Sequence, residues 1–267
     1  MSTTATTIET SPVLLRHDAG GICTLTLNRP ASYNTFSAAL LDALEATLDD
    51  IAADNAVRVV VLAGSGPAFC AGHDLKEMID PHELDHYREL FTRSSGLMQR
   101  LVSLPQPVIA RVHGVAAAAG CLLVAACDLA VAAEEARFAT SGVRLGLFCS
   151  TPSVSLTRNV PRKAAFEMLV TGGFIDATTA VNHGLVNRAV PAAELDDAVA
   201  ELAEAIVANP PAAIAIGKRM FYRQIELGMA EAFRYATEQM ACNMMDADAK
   251  EGIDAFLEKR DPAWRKK

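Results

Sequence analysis

The sequence predicts one α/β domain that passes into a helical C-terminal region. Three observations predict it. Short β-branched runs alternate with helix-period segments from about residue 13 to residue 190. Gly- and Pro-containing turns separate these segments, and everything after Pro191 carries helical spacing. The boundaries that follow are a frayed tail over 1–11, a core over 12–195 and a helical region over 196–267.

The elements are justified in chain order. Residues 13–16 and 22–27 read as two strands joined around Gly20-Gly21, and 24–27 alternates Thr-Leu-Thr-Leu at period two. Ser37 is suited to open a helix in which Leu41, Leu44, Leu48 and Ile51 recur at helical spacing. Residues 57–62 form a continuous apolar run, as expected of a strand covered on both faces. A small-residue loop is predicted over 64–74, a polar helix over 83–103 and a Pro-flanked strand over 108–112. Residues 114–120 lead into an apolar helix over 121–127, followed by a strand over 129–132 and a loop over 140–152. Helices are expected at 161–170 and 177–183, a last short strand over 185–190, and then helices broken at Asn209-Pro210-Pro211.

Composition narrows the function classes. A hydrophobic content of 51% and a charged content of 21% are those of a globular chain with ample core material. The formal charge of −8 argues against nucleic acid or an acidic membrane as a general partner. It does not exclude an anionic small molecule held by a few local cations and backbone N–H groups. The six cysteines show no C-x-x-C pair and no cluster with His at ligand spacing, so neither a disulfide framework nor a zinc site is expected. The first residues, MSTTATTIETSP, lack a basic start and an apolar core, and no apolar run approaches the ~18 residues of a membrane span. A cytoplasmic protein is the expectation.

Four ordered blocks carry a resemblance. They are Leu27-Asn28-Arg29-Pro30 with Asn34, and the run from Ala68 to Glu77 containing Ala71-Gly72-His73-Asp74. The third is His113-Gly114 through Gly120-Cys121 with Cys127-Asp128, and the fourth runs from Glu167 through Thr171-Gly172 and Gly184-Leu185-Val186 to Val190-Pro191. With Phe256 to Arg260 added, the ordered set resembles the crotonase superfamily, the enoyl-CoA hydratases and isomerases. The resemblance implies a spiral of ββα units with two nearly perpendicular sheets surrounded by helices. It also implies trimers or paired trimers built on the C-terminal helices, and a coenzyme A thioester as substrate, with no covalently bound cofactor and no metal.

Enolate formation beside a thioester moves negative charge onto the carbonyl oxygen, and two fixed backbone N–H groups can stabilise it without reorganising. The resemblance places these donors at His73 and Ala119. Ala71, Gly72 and Gly120 are the small neighbours that allow close approach. It gives Lys76 to the cofactor phosphates and Ser32 and Tyr33 to the adenine pocket, where Ala31 stands in place of a frequent basic residue. Phe256 and Lys259 match positions that reach a neighbouring subunit's coenzyme A, or else simply close the last helix.

The chain departs from the pattern at two positions. Hydratases hold water between two glutamates; counting from Ala119 and from Phe138, those positions carry Leu122 and Gly142, which cannot move protons. Near the expected acyl pocket remain His73, Ser141, Arg144, Cys149 and Ser150. His73 belongs to the residue type that titrates near neutrality, although its backbone N–H alone is the other reading. Cys149 reads as a pocket-lining residue rather than a nucleophile, His113 as structural, His183 as a surface helix end and Asp74 as a loop-fixing acid. Three functions follow: a lyase or isomerase of enoyl-CoA hydratase type, weak in true hydration; a decarboxylase of a malonyl-type thioester, with Arg144 holding the carboxylate; or a non-catalytic acyl-CoA-binding protein.

Overall fold

From Val59 onward, successive strands fall into pairs that send one strand to each of two sheets. The computed structural model describes residues 11–266, so the expected tail over 1–11 lies outside the described residues except for Ser11. The elements run β1 (Leu14–Ala19), β2 (Ile22–Leu27), α1 (Ala38–Ala53), β3 (Val59–Gly64), β4 (Ala68–Cys70), α2 (Leu75–Met78) and α3 (Leu84–Ser103). Then come β5 (Val108–Val112), β6 (Val115–Ala117), α4 (Ala119–Ala126), β7 (Leu129–Ala133), β8 (Arg137–Ala139), α5 (Ser150–Asn159) and α6 (Arg162–Thr171). The chain continues with β9 (Ile175–Asp176), α7 (Ala177–Asn182), β10 (Arg188–Val190), α8 (Leu195–Val207), α9 (Pro211–Gln224), α10 (Met229–Met244) and α11 (Ala247–Leu257).

The larger sheet has the order β1-β2-β3-β5-β7-β10 and the smaller β4-β6-β8-β9. Thus β3 and β4, β5 and β6, and β7 and β8 each send one strand to each sheet, and like strands of successive pairs lie parallel. Among the described residues, only β1 with β2 and β8 with β9 pair antiparallel. This is the ββα spiral of the crotonase fold.

The expectation of a strand covered on both faces holds for β3. Val60 and Leu62 join the main core, while Val59 and Val61 meet Leu195, Val199 and Ala203 of α8 on the opposite face. Ser37 caps α1 by accepting the Leu40 N–H at 3.2 Å. The loops expected over 64–74, 114–120 and 140–152 contain more structure than their spacing suggests. The first holds β4, the second β6, and the third a 3-10 turn at Ser141–Leu145 and the start of α5. Three-residue strands are too short to show a period, so their small and apolar residues read as loop. The last strand begins at Arg188 rather than 185, because Leu185 and Val186 donate their N–H groups back to the Ala180 carbonyl.

Helix α9 is tied to the core by a buried cation. Lys218 Nζ donates to the Leu101 and Gln106 carbonyls at 2.8 and 3.0 Å and to Asp128 Oδ2 at 2.7 Å. Asp128 also accepts the Val108 N–H at 2.6 Å and the Tyr222 hydroxyl at 2.9 Å. Burial pushes the Lys218 ammonium down from its ordinary range, and the Asp128 carboxylate works against that. Beyond this anchor the chain exposes Met229, Phe233, Met240, Met245 and Phe256. Among the described residues no single helix is long and apolar enough to cross a membrane.

Candidate active site

Four segments wall a cavity of about 670 Å³. Each follows the carboxyl end of a strand: residues 31–35 after β2, 71–78 after β4, 118–119 after β6 and 141–152 after β8, with Phe91 added from α3. Strand ends are where α/β sheets leave room for ligands.

Buried Asn34 holds the first two segments together. Its Oδ1 accepts the Arg29 N–H at 2.8 Å, and its Nδ2 donates to the Ser65 and Ala68 carbonyls, both at 2.8 Å. Arg29 reaches on to Asp74 Oδ2 at 3.0 Å, and Asp74 Oδ1 accepts the Lys76 N–H at 3.2 Å to cap α2. Partial burial works to raise the Asp74 carboxyl, but the Arg29 and backbone N–H hydrogen bonds outweigh it and hold the group below the usual carboxylate range. Asp74 is therefore a spoken-for loop acid, as the sequence suggests.

The backbone around His73 and Ala119 is aimed by its neighbours. Phe36 pairs with His73 in a parallel bridge: the Phe36 N–H donates to the Gly72 carbonyl at 2.8 Å, and the Asp74 N–H donates to the Phe36 carbonyl at 2.9 Å. The flanking residues make those bonds, so the N–H of His73 points to the other side. Ala119 is the first residue of α4, and its N–H has no acceptor within the helix. Before it, Ala118 sits at φ 49 and ψ −115, a costly conformation for a residue with a Cβ. The Ala118 N–H holds it in place by donating to the Ala139 carbonyl at 2.9 Å.

The two glycines explain how closely these strands approach. A Cβ on Gly72, at φ +105, would stand 3.1 Å from the Ala118 Cβ and 3.4 Å from the Ala119 nitrogen. A Cβ on Gly120 would fall 2.0 Å from the Cys70 carbonyl oxygen. The segments carrying His73 and Ala119 are thus in direct contact at the cavity wall. Two unengaged N–H donors on preorganised backbone can stabilise an oxyanion.

The His73 ring lines the cavity and meets Phe36 and Phe91 edge to face at 5.9 and 5.5 Å between centroids. Burial pushes its pKa down to about 4, so near neutrality it is an uncharged, weak base. The residue type titrates near neutrality in water, and here desolvation disfavours the cation. Cys149 Sγ lies 3.3 Å from the Gly142 nitrogen and accepts that N–H. Burial raises its thiol above the ordinary range, with the Gly142 N–H acting in the opposite direction, so it is a lining thiol rather than a thiolate. Any side chain at Gly142 would start 2.8 Å from that sulfur and 2.7 Å from the Leu147 carbonyl oxygen.

Of the residues singled out from sequence, Ser32, Ala71, His73, Lys76, Ala119, Ser141, Gly142, Cys149 and Ser150 come together on the cavity. Ala31 and Asp74 line it too, whereas Tyr33, Gly72, Gly120, Leu122, Arg144, Phe256 and Lys259 do not. Tyr33 adopts the left-handed conformation and is 56% exposed, Gly72 and Gly120 face neighbouring backbone, and Leu122 is buried in α4 within the core. Arg144 is exposed, with Nε directed to the Thr171 carbonyl at 3.5 Å, so it is not placed to hold a ligand carboxylate in the cavity. Phe256 is 82% exposed and Lys259 follows the last long helix, both away from this chain's cavity lining. Sequence reasoning missed Phe91, Met78, Leu145, Leu147 and Phe148, which make the wall apolar. The run Leu145-Gly-Leu-Phe148, in a segment read as loop, was the available signal.

Comparison with known proteins agrees with this architecture. A family model described as Enoyl-CoA hydratase/isomerase matches residues 17–267. The human Enoyl-CoA hydratase domain-containing protein 3, mitochondrial, is 43% identical over 244 residues, covering 91% of this chain and 80% of its own length. A crystal structure of an enoyl-CoA hydratase from Mycobacterium smegmatis matches with a TM-score of 0.94 at 56% identity, covering 95% of this chain and 99% of that one. The crystal structure of the human domain-containing protein 3 matches with a TM-score of 0.92 at 41% identity, covering 94% of this chain and 100% of that one.

Proposed function

Because the chain belongs to the enoyl-CoA hydratase/isomerase family, the crotonase superfamily, we propose that its cavity takes the acyl end of a coenzyme A thioester. The backbone N–H groups of His73 and Ala119 then stabilise the enolate oxygen formed from the thioester carbonyl. The observation that carries this reading is the contact between the Gly72-His73 and Ala118-Ala119 segments at the cavity wall. Lys76, exposed at the start of α2 and lining the cavity, is the cation for the cofactor phosphates. A crystal structure with bound acyl-CoA tests the site. The thioester oxygen is expected within hydrogen-bond reach of both nitrogens, and a separation above about 3.5 Å from each would defeat the assignment.

The reaction is an enolate chemistry weak in true hydration. Gly142 brings no acid or base to the cavity, and Leu122 is aliphatic and buried. Decarboxylation of a malonyl-type thioester loses the support Arg144 would have lent it. Among the described lining residues Lys76 is the one cation, and the wall around it is mostly apolar. The site suits an acyl chain without a second carboxylate. Turnover and binding across a panel of enoyl-, hydroxyacyl- and carboxyacyl-CoA thioesters, followed by mass spectrometry, separate catalysis from binding alone.

The assembly we propose is a homotrimer or a dimer of trimers. Met229, Phe233, Met240, Met245 and Phe256 are each more than 60% exposed in the single chain, which is more apolar surface than isolated helices comfortably leave in water. Light scattering at micromolar concentration is expected to give three or six times the 28.4 kDa chain mass. A monomer would refute this.

A further inference from the structure

Asp74 brings a negative charge to the wall that has to hold an enolate. It lines the cavity one residue after the His73 donor. Partial burial works to raise its carboxyl, but hydrogen bonds from Arg29 and the backbone outweigh that, so the group is ionised near neutrality. The His73 ring beside it is uncharged there, and Lys76 is exposed, where water and salt screen its ammonium. An enolate places a full negative charge against this wall, whereas an unreacted thioester carbonyl carries none. A bare carboxylate here would therefore oppose the enolate and leave the thioester nearly unaffected.

Arg29 stands behind that carboxylate. Its Nη2 donates to Asp74 Oδ2 at 3.0 Å, and among the described residues this is the ion pair that Asp74 makes. Nη1 donates to the Thr35 carbonyl and, at 3.1 Å, to the Thr35 hydroxyl, so the guanidinium is tied to both segments. Thr35 and Asp74 line the cavity, while Arg29 does not. The cation is thus fixed one residue back from the ligand. The two side chains are only 19% and 17% exposed, so water screens their charges less than it would at the surface. We propose that Arg29 is a positioning residue that acts through Asp74, cancelling the carboxylate charge beside the His73 and Ala119 donors so that the site holds an enolate more tightly than an unpaired Asp74 would allow. The inference rests on the reading of this cavity as an acyl-CoA site with an oxyanion hole.

The test uses acetoacetyl-CoA, whose enolate absorbs at longer wavelength than its keto form, at a pH where the free ligand is mostly keto. Bound to the wild type, it is expected to show the enolate band. Arg29→Gln is expected to lower the enolate-to-keto ratio of the bound ligand by roughly 10-fold, short of the ~10²–10³-fold that follows loss of an oxyanion donor itself. Asp74→Asn, which keeps a capping side chain for α2, is expected to raise the ratio, and the double variant to return it near the wild-type value. Affinity for butyryl-CoA, which forms no such enolate, is expected to hold within about 2-fold in all three. A merely structural brace gives the opposite sign for Asp74→Asn, because either single change would loosen the wall. A ratio that falls or stays constant in that variant therefore overturns the inference, as does an unchanged ratio in Arg29→Gln. Asp74→Asn decides the sign by itself even where Arg29→Gln does not fold. Wild-type binding without the enolate band sinks the oxyanion-hole reading together with the inference, and binding of neither thioester sinks the acyl-CoA reading as well.

Discussion

Crotonyl-CoA hydration by this protein is expected to fall far below the ~1–10³ s⁻¹ of ordinary enzyme turnover. Adding water across a double bond needs one group to take a proton from the water and another to give one to the α-carbon. Each such transfer contributes ~10²–10⁴-fold. The candidates at the cavity are poorly suited to both tasks. His73 has its pKa pushed down to about 4, Cys149 is held as a thiol by burial, and the Asp74 carboxylate is engaged by Arg29 and the Lys76 N–H. Leu122 and Gly142 have nothing to offer. Steady-state loss of the enoyl absorbance measures the rate directly. Turnover in the ordinary range would show that another pair of groups moves the protons, and would reverse this account of the site.

Replacing Lys218 by Met is expected to destabilise the fold by about 3–5 kcal/mol, the usual cost of leaving one member of a buried ion pair alone. Lys218 is 9% exposed, and its ammonium satisfies two carbonyls and Asp128 together. Without it, Asp128 keeps only the Val108 N–H and the Tyr222 hydroxyl in a partly buried place. Adding Asp128→Asn to Lys218→Met should recover part of the loss, because the stranded charge is then removed. Denaturant unfolding of the wild type and both variants checks this. A single-variant change under about 1 kcal/mol would show that the network is incidental.

The sequence made the long elements legible, because α1, α3 and β3 carry enough residues to reveal a period. The strands of the smaller sheet were hidden by their length, with β4, β6 and β8 three residues each. At the site, Ala71, His73, Asp74 and Ala119, singled out by residue type and order, lie along one cavity. Sequence could not reveal where side chains turn. Arg144 is one residue in a five-residue 3-10 turn of which Ser141, Gly142 and Leu145 line the cavity while Arg144 and Val143 do not. The anchoring role of Lys218 was also missed. Its signal was a lone cation spaced four residues from Ile214 and from Tyr222 on an otherwise apolar helix stripe.

The packing at Gly142 also constrains the order in which this sequence could change. With the Cys149 sulfur 2.8 Å and the Leu147 carbonyl 2.7 Å from where a Cβ would begin, a carboxylate side chain introduced at 142 meets an occupied volume. The sulfur can be removed by substitution at 149, whereas the carbonyl yields only if the turn shifts. A stepwise path from this chain to a carboxylate-bearing one therefore runs through position 149 or the 145–148 turn first. The reverse order passes through an intermediate that is strained before it has gained any chemistry. Epistasis of this kind would make position 142 hard to change alone.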